Sequence, residues 1–126
     1  MYYMKHSQPA EKISEAVFRG RKTAYNFEVY SIKDKVEDAP GIYVISRRVM
    51  DRRGRWHHAM VCFGRTESFL TELKRHKKAQ CLKERKANVI CMLREEKEKV
   101  RVKIEADLRS AHAHACKFGD DGPSPI

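Results

Sequence analysis

Apolar residues recur along this chain in two rhythms. At the front, Ile13, Ala16 and Val17 fall on one helical face. Ser7 is placed to cap that helix, Pro9 and Ala10 occupy its first turn, and Gly20 ends it, so a helix is expected over about 9–20. From Thr23 to Ile32 the period changes to two: Tyr25, Phe27 and Val29 alternate, with Tyr30 and Ile32 on the other side, as in a strand with apolar groups on both faces. Asp38-Ala39-Pro40-Gly41 is a turn, and Ile42-Tyr43-Val44-Ile45 reads as a short buried strand.

Trp56 to Phe63 reads as the returning strand, which makes 42–63 one hairpin with an extended tip around an Asp51-x-x-Gly54 turn. Thr66 then opens a helix with Phe69, Leu70 and Leu73 on its apolar side and Lys74, Arg75, Lys77 and Lys78 opposite. Asn88 to Leu93 is a third strong strand. Residues 95–115 carry both rhythms. Val100, Val102 and Ile104 alternate, while Val100, Ile104, Leu108, Ala111 and Ala115 make a helical stripe. The alanines from 106 onward favour the helix. Residues 119–126, with two Gly and two Pro, form a flexible tail. The order helix, strand, hairpin, helix, strand, helix is that of an α+β fold, a small antiparallel sheet flanked by helices.

With 126 residues there is room for a single domain, taken as 1–118, and one modest core. Charged residues make up 35% of the chain, well above the usual quarter, and Lys plus Arg number 27 against 17 acidic residues, for a net charge of +10. That excess points to a polyanionic partner. It is concentrated. The hairpin tip carries Arg47, Arg48, Arg52, Arg53 and Arg55, and 74–86 carries Lys74, Arg75, Lys77, Lys78, Lys83, Arg85 and Lys86 against Glu84 alone. Arginine on a protruding hairpin can clamp phosphates bidentately, where lysine would serve equally well for solubility. The four cysteines, 62, 81, 91 and 116, show no Cys-x-x-Cys spacing and read as thiols in a reducing, cytoplasmic setting. No stretch approaches the ~20 apolar residues of a membrane span. His112-x-His114-x-Cys116 does not suit zinc on a helix, because His114 leaves the face that His112 and Cys116 share.

The middle of the chain carries a further pattern. Gly41-Ile42-Tyr43 opens one strand, Cys62-Phe63-Gly64 closes the next, and Thr66, Phe69, Leu73 and His76 follow at two, five, nine and twelve residues after the second glycine; Glu105 comes on the late helix. That arrangement, over about 40–110, resembles the GIY-YIG endonuclease superfamily, with the helix and strand of 9–32 added in front. The resemblance implies a metal-dependent phosphodiesterase centre. Tyr43 would be the base or water-orienting group, Glu105 the ligand of Mg²⁺ or Mn²⁺, and an arginine the cation beside the phosphorus. Two chemical positions depart from the family: its second tyrosine is Cys62 here, and its arginine position is Glu72, with Arg75 one turn on as a substitute or as the partner of a Glu72–Arg75 helix pair. The reading is a nucleic-acid-binding GIY-YIG-like protein, with DNA ahead of RNA as partner and with Arg47, Arg48, Arg52, Arg53, Arg55, Lys74, Arg75, His76, Lys77 and Lys78 as contact residues. An active endonuclease using Tyr43, Arg75 and Glu105, and an inhibitor-like module docking an acidic protein, are the alternatives.

Overall fold

The structure, a computed structural model, describes residues 11–77 and 79–113, with the backbone alone at Lys77. Five strands and three helices follow one another: β1 (Ser14–Arg19), β2 (Ala24–Ser31), β3 (Gly41–Met50), β4 (Trp56–Thr66), α1 (Phe69–Lys77), α2 (Gln80–Glu84), β5 (Val89–Arg94) and α3 (Glu98–Ala111). The strands form one sheet in the order β1-β2-β5-β3-β4. Every neighbouring pair is antiparallel. An α+β fold with an antiparallel sheet flanked by helices is what the pattern predicted.

The expected helix at 9–20 is a strand over its described part. Six consecutive residues pair with β2, from Ser14 opposite Val29 to Arg19 opposite Ala24. Buried Ala16 and Phe18 alternate with exposed Glu15, Val17 and Arg19. Phe18 meets Phe27 edge to face with ring centroids 5.3 Å apart. A five-residue apolar pattern fits either period, and the cross-strand partner decides it. Ser7, Pro9, Ala10 and the 119–126 tail lie outside the described residues.

Alternation along β3 and β5 divides the core in two. On one side Tyr43, Ile45, Cys62, Ile90 and Met92 pack against Phe69 and Leu73 of α1 and Leu82 of α2. On the other, Ile42, Val44, Phe63 and Cys91 pack with Phe18, Phe27 and Val29 against Ile104 and Leu108 of α3. Both faces of the central strands are therefore apolar, which is why 42–45 is a continuous hydrophobic run. A bulge in β4 shifts the register from Ile45↔Cys62 to Ser46↔Met60 and leaves Val61 without a partner in the ladder.

The sheet curls around α3. Asp107 on that helix accepts hydrogen bonds from the backbone N–H of Lys22 (3.0 Å) and Thr23 (3.2 Å) and from the Tyr25 hydroxyl (2.7 Å). His112, just past its end, donates to the Arg19 carbonyl at 2.6 Å. The curl brings the sheet's two outer strands together at one corner. There Phe18 of β1 meets His58 of β4 with centroids 5.7 Å apart. Cys62 and Cys91 are free and buried. Cys81 is disulfide-bonded, against the reading of all four as thiols. No described helix is long and apolar enough to cross a membrane.

Candidate functional site

Tyr43 and Gly64 face each other across the β3–β4 ladder. The glycine leaves room for the tyrosine: a Cβ at 64 would meet the Tyr43 hydroxyl at 3.0 Å and its ring at 3.3 Å, tight enough that the ring would have to give slightly. The Tyr43 ring is buried beneath α1, tilted against the His76 ring at 5.3 Å, with 3.3 Å between its hydroxyl and His76 Nε2. Burial first, and the Glu72 charge second, push the phenol far above its ordinary range. Such a hydroxyl is a poor base near neutral pH.

Glu72 sits where the resemblance implies a cation. Its carboxylate accepts from Thr66 Oγ1 at 3.2 Å, stands 3.3 Å from His76 Nε2, and pairs with Arg75 Nη1 at 3.5 Å. Burial pushes its pKa up, but the hydrogen bond and charge of His76, with help from Arg75 and Thr66, outweigh that and hold it below the usual value. The expected Glu72–Arg75 helix pair is therefore present, extended inward by Thr66 and His76. The same charge, behind the larger effect of burial, raises the Cys62 thiol to about 12.

Glu105 belongs to the other face of the sheet. It is buried on α3, and its two oxygens are taken by two guanidinium groups: Oε1 by Arg65 of β4 and Oε2 by Arg109, one turn along α3, at 2.9 Å. Arg65 follows Gly64, so strand alternation turns it away from Tyr43 and toward α3. Tyr43 and Arg75 thus lie on one face and Glu105 on the other, although the Glu105 charge adds slightly to the rise in the Tyr43 pKa. The donor set does not fit Mg²⁺ or Mn²⁺. These hard cations need several oxygen ligands, whereas the one carboxylate here is already neutralised by two arginines. No cluster of three or more His, Cys, Asp or Glu with metal-holding geometry occurs among the described residues. Sequence reading missed Arg65 and Arg109, though the i, i+4 spacing of Glu105 and Arg109 was a visible signal.

The arginine-rich tip is a two-stranded ribbon. Pairing of β3 with β5 stops at Ser46↔Val89, while pairing with β4 continues to Met50↔Trp56. Asp51 organises the turn. Its carboxylate accepts from the His57 ring at 2.7 Å, from the backbone N–H of Arg53 and Arg55 at 2.8 and 2.9 Å, and from Arg55 Nε at 3.3 Å. These donors, His57 foremost, lower its pKa to about 2. Gly54 takes φ +81°, in the left-handed region glycine favours. Arg47, Arg52, Arg53 and Arg55 are exposed. Arg48 differs: its guanidinium lies over the Trp56 ring at 3.7 Å from the centroid, on the α3 side of the sheet.

The second basic segment reaches the root of the ribbon. Asn88, just before β5, accepts from the Arg48 N–H at 2.7 Å and donates to the Arg48 carbonyl at 2.9 Å, while its own N–H donates to the Ser46 carbonyl at 3.0 Å. Lys83, Arg85 and Lys86, all exposed, immediately precede it. Lys74 and Arg75 are exposed on α1. His76 is not a surface contact as expected: it is fully buried, because its helical position turns it onto Tyr43. Lys78 and the Lys77 side chain lie outside what is described.

No family model matches this chain, and no curated protein and no solved structure matches it.

Proposed function

We propose that this chain is a nucleic-acid-binding module of GIY-YIG-like build that grips the phosphate backbone and does not cut it. The observation that carries the reading is the β3–β4 ribbon. It continues beyond the end of the β5 pairing, exposes Arg47, Arg52, Arg53 and Arg55, and is held in shape by Asp51. A two-stranded ribbon fits the major groove of duplex DNA, which favours DNA over RNA, whose deep, narrow major groove is closed to side chains. The 83–86 cations at the ribbon's root extend the same positive surface. The side chains themselves support loss of cleavage: a carboxylate, Glu72, at the helix position where the resemblance implies a cation, a tyrosine whose proton is held tightly, and a Glu105 saturated by Arg65 and Arg109.

Two measurements test this reading. Duplex binding should be weakly sequence-specific, with six to eight phosphate contacts giving a log-log salt slope of about −5 to −7. Replacing Arg47, Arg52, Arg53 and Arg55 together by Gln should flatten it, and an unchanged slope would clear the ribbon of any role. Supercoiled plasmid should stay intact with Mg²⁺ or Mn²⁺, for this chain and for Glu72→Arg alike. Metal-dependent nicking that Glu105→Ala abolishes would establish an active endonuclease instead.

A further inference from the structure

The corner where β1 and β4 come together encloses an open cleft of about 690 Å³, on the α3 side of the sheet. The volume falls in the range of small-ligand sites. One wall is β1, with Ala16 and Phe18 on its inward side and Arg19 at its end; the other is Arg48 with Trp56, His57 and His58; His112 closes the end. Trp56 is the chain's single tryptophan and is 48% exposed.

Three observations say what such a cleft would take. First, its lining carries Arg19, Arg48, His57, His58 and His112 against one acidic residue, Glu15. That carboxylate is already engaged by Lys12 at 3.0 Å and Asn26 at 3.1 Å. Of the rings, His57 is held by Asp51 and His112 by the Arg19 carbonyl, which leaves Arg48 and His58 as the groups for a ligand. Second, the Arg48 fork is under-used. Among the described residues its Nε is buried with no hydrogen-bond partner, and its Nη2 makes a long hydrogen bond, 3.5 Å, to Ser14. A buried guanidinium N–H left unpaired costs free energy that an incoming acceptor would recover. Third, the indole with the guanidinium over it offers a planar platform, and an aromatic group can stack on either. His58 is held by Ser46 Oγ on Nδ1 at 2.9 Å, which leaves its Nε2 as the ring nitrogen for a ligand. Planar aromatic surface, cations and a missing acceptor together describe a nucleotide.

We infer that the cleft binds the base and phosphate of an unpaired nucleotide in a strand whose duplex part lies on the ribbon. The inference rests on the nucleic-acid reading above and deepens it. Arg48 and Trp56 are diagonal neighbours on one face of the same ribbon, in the pairs Arg48↔His58 and Met50↔Trp56, so a strand leaving the ribbon reaches the cleft without crossing the sheet. Arg48 then accounts for its departure from the other tip arginines: it supports the stack while they hold the backbone.

The test uses the full chain and three DNA probes, a blunt duplex, the same duplex with a dT4 extension, and the same duplex with a U4 extension, with inorganic phosphate as control. Trp56 emission reports the cleft directly. Saturable quenching by an extended duplex, with affinity roughly tenfold above the blunt one, is the expected result, given the usual gain from stacking one base on an aromatic side chain. Tightening by either extension supports the inference, and the ratio of the two reports the sugar preference. Trp56→Ala should erase the advantage and leave blunt-duplex affinity unchanged, while Trp56→Phe keeps most of it. Blunt and extended duplexes binding equally, with no change in Trp56 emission, would overturn the cleft and leave the ribbon reading standing. Quenching by inorganic phosphate alone would overturn the role of the base. Failure of all three probes to bind would overturn both readings.

Discussion

Asn88 and Arg48 exchange two hydrogen bonds, side chain to backbone in each direction, 40 residues apart in sequence. The pair locks the loop after α2 to the root of the ribbon, so the two basic segments keep one geometry. Asn88→Ala removes both bonds and leaves the Arg48 N–H and carbonyl without these partners. The expected cost is about 1–2 kcal/mol in urea unfolding. Duplex affinity should fall with it, at unchanged net charge. Unfolding that is unaltered within error would show that the loop is held by other contacts.

Lys86 sits at φ +59°, a conformation unusual for a residue with a Cβ. It closes α2: the Lys86 N–H donates to the Lys83 carbonyl at 3.1 Å and that of Ala87 to Leu82 at 3.1 Å. Glycine takes this position with less strain. Lys86→Gly is therefore expected to raise stability by about 0.5–1 kcal/mol, visible as a higher Tm. Salt dependence of duplex binding should weaken slightly, because one cation is lost. A drop in Tm would mean that the lysine side chain makes a contact worth more than the strain.

Much of this fold was legible because the signals were local. The hairpin of 42–63 follows from two apolar runs around Asp51-x-x-Gly54, and α3 from the stripe of Val100, Ile104 and Leu108. What failed was decided at long range. Ala16 and Phe18 read as helical until β2 supplies their partners. His76 read as a basic-face residue because its charge type was visible and the packing of Tyr43 beneath it was not. Likewise, the sequence spacing of Tyr43, Glu72 and Glu105 carries no record of which face of the sheet each one takes. Gly64, between Tyr43 and Arg65, is where that division occurs. The β1–β4 cleft was invisible for the same reason: it joins two strands distant in sequence, as in the Ser14–Arg48 and Phe18–His58 contacts, through a curl packed on α3.

Acid should loosen both ends of the molecule through two carboxylates. Asp51 has its pKa lowered to about 2 by His57 and the Arg55 and Arg53 N–H groups. Asp107 is lowered by the Lys22 N–H, the Tyr25 hydroxyl and the Thr23 N–H. A depressed folded-state pKa means that the unfolded chain binds the proton more readily. Their stabilisation is thus fully present above the ordinary carboxylate pKa of ~4; that of Asp51 is lost as pH falls toward about 2, and that of Asp107 as pH falls below its ordinary value. Asp107→Asn should lower Tm at pH 6, and the difference from the parent chain should close as pH drops below the ordinary carboxylate range. A difference constant with pH would assign the effect of Asp107 to packing.

Tyr43→Phe separates a structural hydroxyl from a catalytic one. The hydroxyl has His76 Nε2 at 3.3 Å and lies against Gly64. Its loss should cost about 0.5–1.5 kcal/mol of stability, while duplex affinity and its salt slope remain those of the parent chain. Loss of a metal-dependent cleavage activity in Tyr43→Phe, with the fold intact, would return the tyrosine to chemistry.

The curl of the sheet has a consequence for how copies of this protein behave toward one another. An open five-stranded sheet ends in two unsatisfied rows of backbone donors and acceptors, each a template for another chain's strand. Here the β1 and β4 rims converge where Phe18 meets His58, and the passage between them is edged by arginine and histidine. One bend thus shapes both the cleft and the approach to the two free edges, so a substitution that flattens it is expected to open those edges to other strands as it removes the cleft.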